Sequence, residues 1–482
     1  RQSVDVLIAG GGIAGLTAAW RLRKAGVENL ALLELEGELG GNSRAARYPA
    51  TPAPWAAHYL PVPTRESTVV RRLLTEMGVM KGESPDGKPL LDELQLCHSN
   101  EERVFVLGHW EDGLFPKAGA SSEDFRQARE FDQHVQGWQK WRDGQGRKAF
   151  AIPMALSSPD PKVRALDGES MATYMTRHGW TSPRLRWYVE YGCRDDYGCS
   201  LANTSAWAGL HYFASRDGGG FEPKDLQFVW PEGNHRLVQH LSEGLGSRVF
   251  SGHLVTRLQR VGGAWEVDAW TETGMRGWRA PRVVFALPTF LRPTLLGDKP
   301  RPQFSYSPWT VCNLVLERLP ESVATDQMGL SWDNVLYDSP GLGYVVANHQ
   351  TQSHLQGPSV WTYYRPWADR EPAQARAHML KSSWSEVCAQ VFQELASVHP
   401  DLSEVCRQLD VMQLGHAMVR PSPGFVWSET RRQAALSGPG IFFAHSDLSG
   451  FSIFEEASYH GVRAAQQLLG DLGNTVEDYT RS

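Results

Sequence analysis

"VDVLIAGGGIAGLTAAWRLRKAGVENLALLELEGELGGNSR", running from Val4 to Arg44, decides the fold. Val4–Ala9 alternates as a buried strand, Leu16–Lys24 reads as a helix stopped by Gly26, and Leu30–Glu34 reads as a second strand. Between the first strand and the helix, Gly10, Gly12 and Gly15 form G-x-G-x-x-G. Gly10 permits the tight turn, Gly12 lets a pyrophosphate approach the backbone, and Gly15 lets helix pack on strand. The free N–H groups that follow, with Ile13 and Ala14 among them, and the positive end of the helix are placed to hold the phosphates. Glu34 closes the second strand, where a carboxylate accepts hydrogen bonds from ribose hydroxyls. The β-α-β unit is therefore expected to bind a dinucleotide.

A chain of 482 residues has room for two or three domains at ~150 residues each. Its 48 basic and 54 acidic residues give a net charge of −6 with no basic run, which speaks against nucleic acid and acidic membrane surfaces as partners. The six cysteines are too few for a disulfide scaffold and form no C-x-x-C pair. Cys193 and Cys199 could bridge, and buried free thiols are the plainer expectation. No stretch reaches the ~18 continuous apolar residues of a membrane span, so a soluble protein is expected. The chain opens at Arg1 without a methionine. That fits a cleaved export signal, with the protein exported folded to the periplasm, or a trimmed tag on a cytoplasmic one. Compartment and oligomeric state stay open. No metal-ligand spacing, serine-hydrolase elbow or phosphate-loop lysine is present.

Farther along, a helix is predicted at about 66–77. A long amphipathic helix is predicted after the capping signal Ser121–Asp124, with Phe125, Ala128, Phe131, Val135, Trp138 and Trp141 on one face. The α/β pattern returns near Phe228: "FVWPEGNHRLVQHLSEGLG" reads as turn and helix, "RVFSGHLVTRLQRVGGAWEVDAW" as two or three strands, and "PRVVFALP" as a buried strand. A mixed stretch over about 301–429 includes a helix across Ala373–Val398, and the last segment reads as strand, loop and helix. The fold class expected is α/β, a Rossmann-type unit interleaved with an α+β substrate domain. The first is assigned 1–100, 225–300 and 430–482, the second 101–224 and 301–429.

Gly40 and Gly41 follow Glu34 as E-x5-GG, and at this point the chain resembles the flavin-containing amine oxidase superfamily, which includes monoamine and polyamine oxidases, protoporphyrinogen oxidase and phytoene desaturases. "PEGNHRLVQHL" is similar to the family's Pro-x-Gly-Gly stretch, and "AHSDLSGFSIFEEASYHGVRAA" to its C-terminal cofactor motif. The resemblance implies FAD as cofactor. It places Gly41 and Asn42 near the pyrophosphate, Val255 at the adenine, Asp447 at the ribityl or pyrophosphate part, and the helix starting near Phe454 at the flavin's pyrimidine ring. The family's arginine after the glycine pair is replaced by Asn42, and Arg44 either supplies that charge or is a solvated surface group. Many amine-oxidising members place a lysine near flavin N5; in "WTVCNLVLE" the matching position holds Asn313.

Further candidates lie on the substrate side. The segment "RYPATPAPWAAHYLPVP" offers Trp55, His58 and Tyr59, with His58 a possible proton acceptor. "AMVRPSPGFVW" stands where relatives carry an aromatic wall, making Trp427 a candidate and Arg420 a possible carboxylate anchor. "YGCRDDYGCS" sets Asp195 beside Asp196, either a cation site or a loop cap. The expected enzyme is an FAD-dependent oxidoreductase passing a hydride from a small amine to flavin, reoxidised by oxygen or another acceptor. The alternatives are a desaturase or isomerase of an apolar polyene or porphyrin-like substrate, and an accessory flavoprotein acting on a protein partner.

Overall fold

A computed structural model describes residues 1–85, 88–216, 226–323, 329–351 and 357–481. Val6–Ala9 and Leu30–Leu33 pair in parallel, Val6 opposite Leu30. They are the centre of a five-stranded parallel sheet in the order Val249–Phe250, Leu30–Leu33, Val6–Ala9, Arg282–Phe285, Ile441–Phe443. Successive side chains leave opposite faces. Val6 and Ile8 enter a core with the opening helix Ile13–Lys24 and the C-terminal helix Phe454–Asp471. Leu7 and Ala9 enter a second core under a four-stranded sheet formed by Gln2–Ser3, Gly274–Ala280, Ala264–Thr271 and Leu254–Val261. Burial on both faces explains why these strands are apolar at every position. The two helices touch closely: a Cβ on Gly461 would lie 2.1 Å from Thr17 Oγ1 and 2.2 Å from Ala14 O.

The second unit is built on a seven-stranded mixed sheet whose order is His109–Asp112, Glu102–Val106, Asp333–Leu336, Gly343–Val346, Ser359–Pro366, Tyr306–Leu316, Cys406–Val419. Residues 101–112 thus form strands before the helices begin. Those helices include Ser122–Lys140, Met171–Arg177, Pro183–Tyr197 and Ala206–Ala214 and share one apolar core. The first starts at Ser121 with both halves of a capping box, Ser121 to Asp124 and back. The architecture is α/β, a Rossmann-type unit interleaved in sequence with an α+β unit.

Two local expectations are corrected. The helix predicted over Ala373–Val398 is two helices, Pro372–Lys381 and Trp384–Leu395, because Ser383 and Glu386 form a capping box that begins a new one. Asp195 and Asp196 do not cap a loop. They lie in the last turn of Pro183–Tyr197, which Gly198 ends in the left-handed conformation at φ 62°. Cys193 and Cys199 are buried and unbridged.

Candidate active site

The glycines of the opening turn answer to different demands. Gly10 has φ +105°, and a Cβ there would sit 2.7 Å from Ala286 O; a Cβ on Gly15 would sit 1.9 Å from Gly10 O. The fold itself requires both. Gly12 has an ordinary φ of −74°, and its Cβ would meet nothing nearer than Gly41 Cα at 4.0 Å. Nothing in the protein calls for glycine at this position, so the absent side chain leaves space for a ligand against the backbone. The opening helix has no side-chain cap at Gly12, yet Ile13 and Ala14 are buried. Its first-turn N–H groups have no side-chain cap and begin beside that same space.

The surrounding loops are tied to this turn. Gly40 N donates to Gly11 O at 2.9 Å, and Gly12 and Gly40 form a parallel bridge. Glu34 Oε2 accepts from Gly11 N at 2.8 Å and Oε1 from Glu36 N at 2.9 Å, leaving acceptor capacity on each oxygen. Gly252 N and His253 N donate to Glu36 O and Glu34 O, which brings the strand carrying Val255 alongside. Arg44 is no free surface group: its Nε donates to Gly41 O at 3.1 Å, and its guanidinium pairs with Glu36 at 3.3 Å. This set fits a dinucleotide. Deeper in, Asp447 is buried, and its Oδ2 accepts from Thr289 N at 2.8 Å and Tyr306 OH at 2.6 Å. Burial opposes its charge, but His445, Tyr306 and Thr289 outweigh that and hold its carboxyl below the ordinary value.

A cavity of about 140 Å³ lies where the C-terminal helix, the seven-stranded sheet and the helices meet. Its walls include His58 and Tyr59, Asp195 and Asp196, Arg216, Asn234, Trp309 and Val311, Tyr364, and Ile453 to Glu455 at the start of the C-terminal helix. Tyr59 OH donates to Asp195 Oδ2 at 3.2 Å, and Arg216 pairs with Glu455 at 3.0 Å. Burial pushes both Asp195 and Asp196 upward, Asp196 further because Asp195 is its neighbour. Behind them burial and neighbouring carboxylates push Asp333 and Glu102 up to about 8. Among the described residues, three wall carboxylates thus face one guanidinium. A cation brought into the cavity relieves that excess.

Of the predicted residues, Asn42, His58, Tyr59, Asp195, Asp196 and Phe454 line this cavity. Asn42 Nδ2 donates to Ala417 O at 2.8 Å. His58 Nδ1–H donates to Ala56 O at 3.1 Å, its ring lies 4.5 Å from that of Tyr364, and burial pulls its pKa down to about 4. It is a neutral imidazole at pH 7. Asn313 does not line this cavity. It is buried under Pro54, with Nδ2 on Pro54 O and Oδ1 accepting from Thr362 Oγ1, while Trp309 and Val311 of the same strand face the cavity. Trp427 belongs to the core of the helices, its ring 6.1 Å from Trp207, and Arg420 Nε donates to Cys199 Sγ. The strand Cys406–Val419 presents Leu414, Ala417 and Met418 to the cavity in place of an aromatic wall. Arg216, Asn234 and Tyr364 were missed; only Asn234, inside "PEGNHRL", stood in a stretch with a readable signal. Among the described residues no group of three or more His, Cys, Asp or Glu could hold a metal ion.

The C-terminal helix of the Rossmann-type dinucleotide unit thus starts at a cavity walled by the second unit. Residues 8–77 match the NAD(P)-binding Rossmann-like domain family. In sequence the chain is 25% identical over 308 residues to a Mycobacterium tuberculosis protein named "Putative flavin-containing monoamine oxidase", across 62% of this chain and 60% of that one. The chain thus aligns with less than two thirds of that relative's length. In structure it is similar to putrescine oxidase bound to putrescine, with TM-score 0.69 and 17% identity over 97% of this chain and 99% of that one. It is also similar to cyclohexylamine oxidase from Brevibacterium oxydans, with TM-score 0.68 and 14% identity over 98% and 100%. No helix among the described residues is long and apolar enough to cross a membrane.

Proposed function

We propose that this chain is an FAD-dependent oxidoreductase that oxidises a small cationic amine. The observation that carries the reading is the Asp195–Asp196 pair, half-buried in a cavity where, among the described residues, wall carboxylates outnumber the guanidinium. The space left against Gly12, the uncapped opening helix and Glu34 support a bound dinucleotide. The flavin named in the Mycobacterium relative supports FAD as that dinucleotide, and the names of the two structural neighbours support an amine as substrate.

When bound, FAD supplies a two-electron acceptor for the hydride leaving the carbon beside the amine nitrogen. The chain's own groups do the rest. Asp195 and Asp196 hold the ammonium by charge-assisted hydrogen bonds. Their raised proton affinity suits them to take its proton, which leaves the neutral amine that can release a hydride. Tyr59 fixes Asp195 through its hydroxyl. Trp309, Val311 and Tyr364 orient the apolar part of the substrate and exclude water. Neutral His58 adds no competing charge. The resulting imine hydrolyses in water. An apolar polyene is disfavoured, because it would leave these carboxylates uncompensated.

The test is anaerobic mixing of the yellow holoprotein with a panel of amines. At least one amine is expected to bleach the flavin, and Asp196→Asn to raise its KM by ~10-fold or more, the size of a lost charged hydrogen bond. A flavin that dithionite bleaches but no amine does would overturn the substrate assignment.

A further inference from the structure

The first turn of the C-terminal helix carries two buried carboxylates, and they are treated differently. Glu455 lies on the cavity wall and is matched by Arg216 at 3.0 Å. Glu456 is fully buried and has only neutral donors. Its Oε1 accepts from Met154 N at 2.6 Å, and its Oε2 accepts from Ser449 Oγ. Ser449 Oγ lies 2.7 Å from His460 Nε2. Because the serine gives its one proton to the carboxylate, it accepts from an Nε2–H, and His460 Nδ1 keeps a bare lone pair that is buried without a partner. The cation nearest in effect, Arg431, donates to Val426 O and Leu448 O and reaches Glu456 only through space.

Glu456 joins three segments. Ser449 lies two residues beyond Asp447, Met154 belongs to the loop that Ser67 and His211 hold at Ile152 O and Ala151 O, and Glu456 itself sits on the helix. That helix has no side-chain cap, and its first residues, Ile453 to Glu455, line the cavity. A helix N-terminus carries about half a positive charge, which a carboxylate in the first turn opposes.

We propose that Glu456 is a positioning residue for the cofactor: with Ser449, His460 and Met154 it fixes the start of the C-terminal helix against the Asp447 loop, and its charge sets how positive that helix end is toward the cavity. The inference rests on the FAD reading. Burial, ahead of its neighbour Glu455, pushes the Glu456 carboxyl up to about 7 against the hydrogen bonds of Ser449 and Met154 and the charge of Arg431. His460, with Arg463, Arg431 and His445 as its charged surroundings, is driven the other way by burial and stays neutral. Glu456 is therefore neutral on the acid side of neutrality and opposes the helix on the alkaline side. Negative charge gained by a bound flavin is then less favoured as pH rises.

The experiment is spectroelectrochemical titration of the FAD-loaded parent, Glu456→Gln and Ser449→Ala at several pH values on either side of neutrality. Comparing variants cancels the flavin's own proton uptake. The midpoint potential of E456Q is expected above that of the parent, with a gap that widens as pH rises through neutrality. In S449A the loss of a donor raises the proton affinity of Glu456, so its curve departs from the parent's and bends at higher pH. A gap that is zero or constant with pH overturns the proposal. Should E456Q fail to hold FAD, an S449A curve superimposed on the parent's overturns it. Protein that stays colourless in every form overturns the FAD reading as well; yellow protein with parallel curves overturns this inference alone.

Discussion

Gly12 separates what the fold needs from what a ligand needs. A Cβ on Gly15 would collide with Gly10 O, so Gly15→Ala is expected to lower stability by ~2 kcal/mol or more through backbone displacement. Gly12→Val adds its side chain to open space beside Gly41, so it is expected to leave thermal unfolding of the apoprotein nearly unchanged while abolishing FAD retention. Thermal melts and absorbance spectra of the two variants check this. Asp195 and Asp196 make a second residue-scale prediction. Both are pushed upward by burial, so amine binding that depends on their charge is lost as pH falls from neutrality into the mildly acid range, and KM rises accordingly. A KM flat across that range in the parent speaks against the pair as cation site. Sequence alone named Asp195 and Asp196 because two acids stand together; it could not tell a cavity wall from a capped loop, since that depends on which turn of Pro183–Tyr197 faces the sheet.

At the scale of elements, the strand Tyr306–Leu316 turns Trp309 and Val311, and not Asn313, to the cavity. With a side-chain period of two, Trp309, Val311 and Asn313 share one face, so the face was legible in "WTVCNLVLE". How far along the strand the cavity ends is set by the hairpin at Pro52–Pro54, a tertiary contact that leaves no local pattern. Capping was read correctly at one start and passed over at another: Ser121 with Asp124 predicted the helix start that is found, whereas the box of Ser383 and Glu386 was read through as continuous helix. Ser121→Ala is expected to cost ~1 kcal/mol, read from denaturant midpoints. The paired strands Glu102–Val106 and Asp333–Leu336 bring Glu102 opposite Asp333. Both have proton affinities raised to about 8 by burial first and neighbouring acids second. A carboxyl raised on folding contributes stability that is present below its unfolded value and lost as pH rises through its folded value. Asp333→Asn is therefore expected to raise Tm at pH near 8 by ~2–5 °C and to change it little in acid, where Asp333 is already protonated.

For the molecule as a whole, the opening β-α-β unit and the strand–loop–helix at the end were readable, because a parallel strand buried on both faces has an unmistakable apolar run. The cavity was not, because its walls come from segments as distant as Tyr59, Asp196, Tyr364 and Glu455. Sequence periodicity reports which face of an element is buried, never which element it meets. The same dispersal means that a ligand spanning both units should stabilise the whole chain. FAD at about a thousand times its Kd is expected to add ~4 kcal/mol to unfolding. The most direct measurement is the visible spectrum of the purified parent beside Gly12→Val. A yellow parent with flavin bands and a folded, colourless variant are expected. A parent that remains colourless after incubation with excess FAD, or a Gly12→Val protein that keeps its flavin, would contradict the placement of the cofactor's phosphates on this turn.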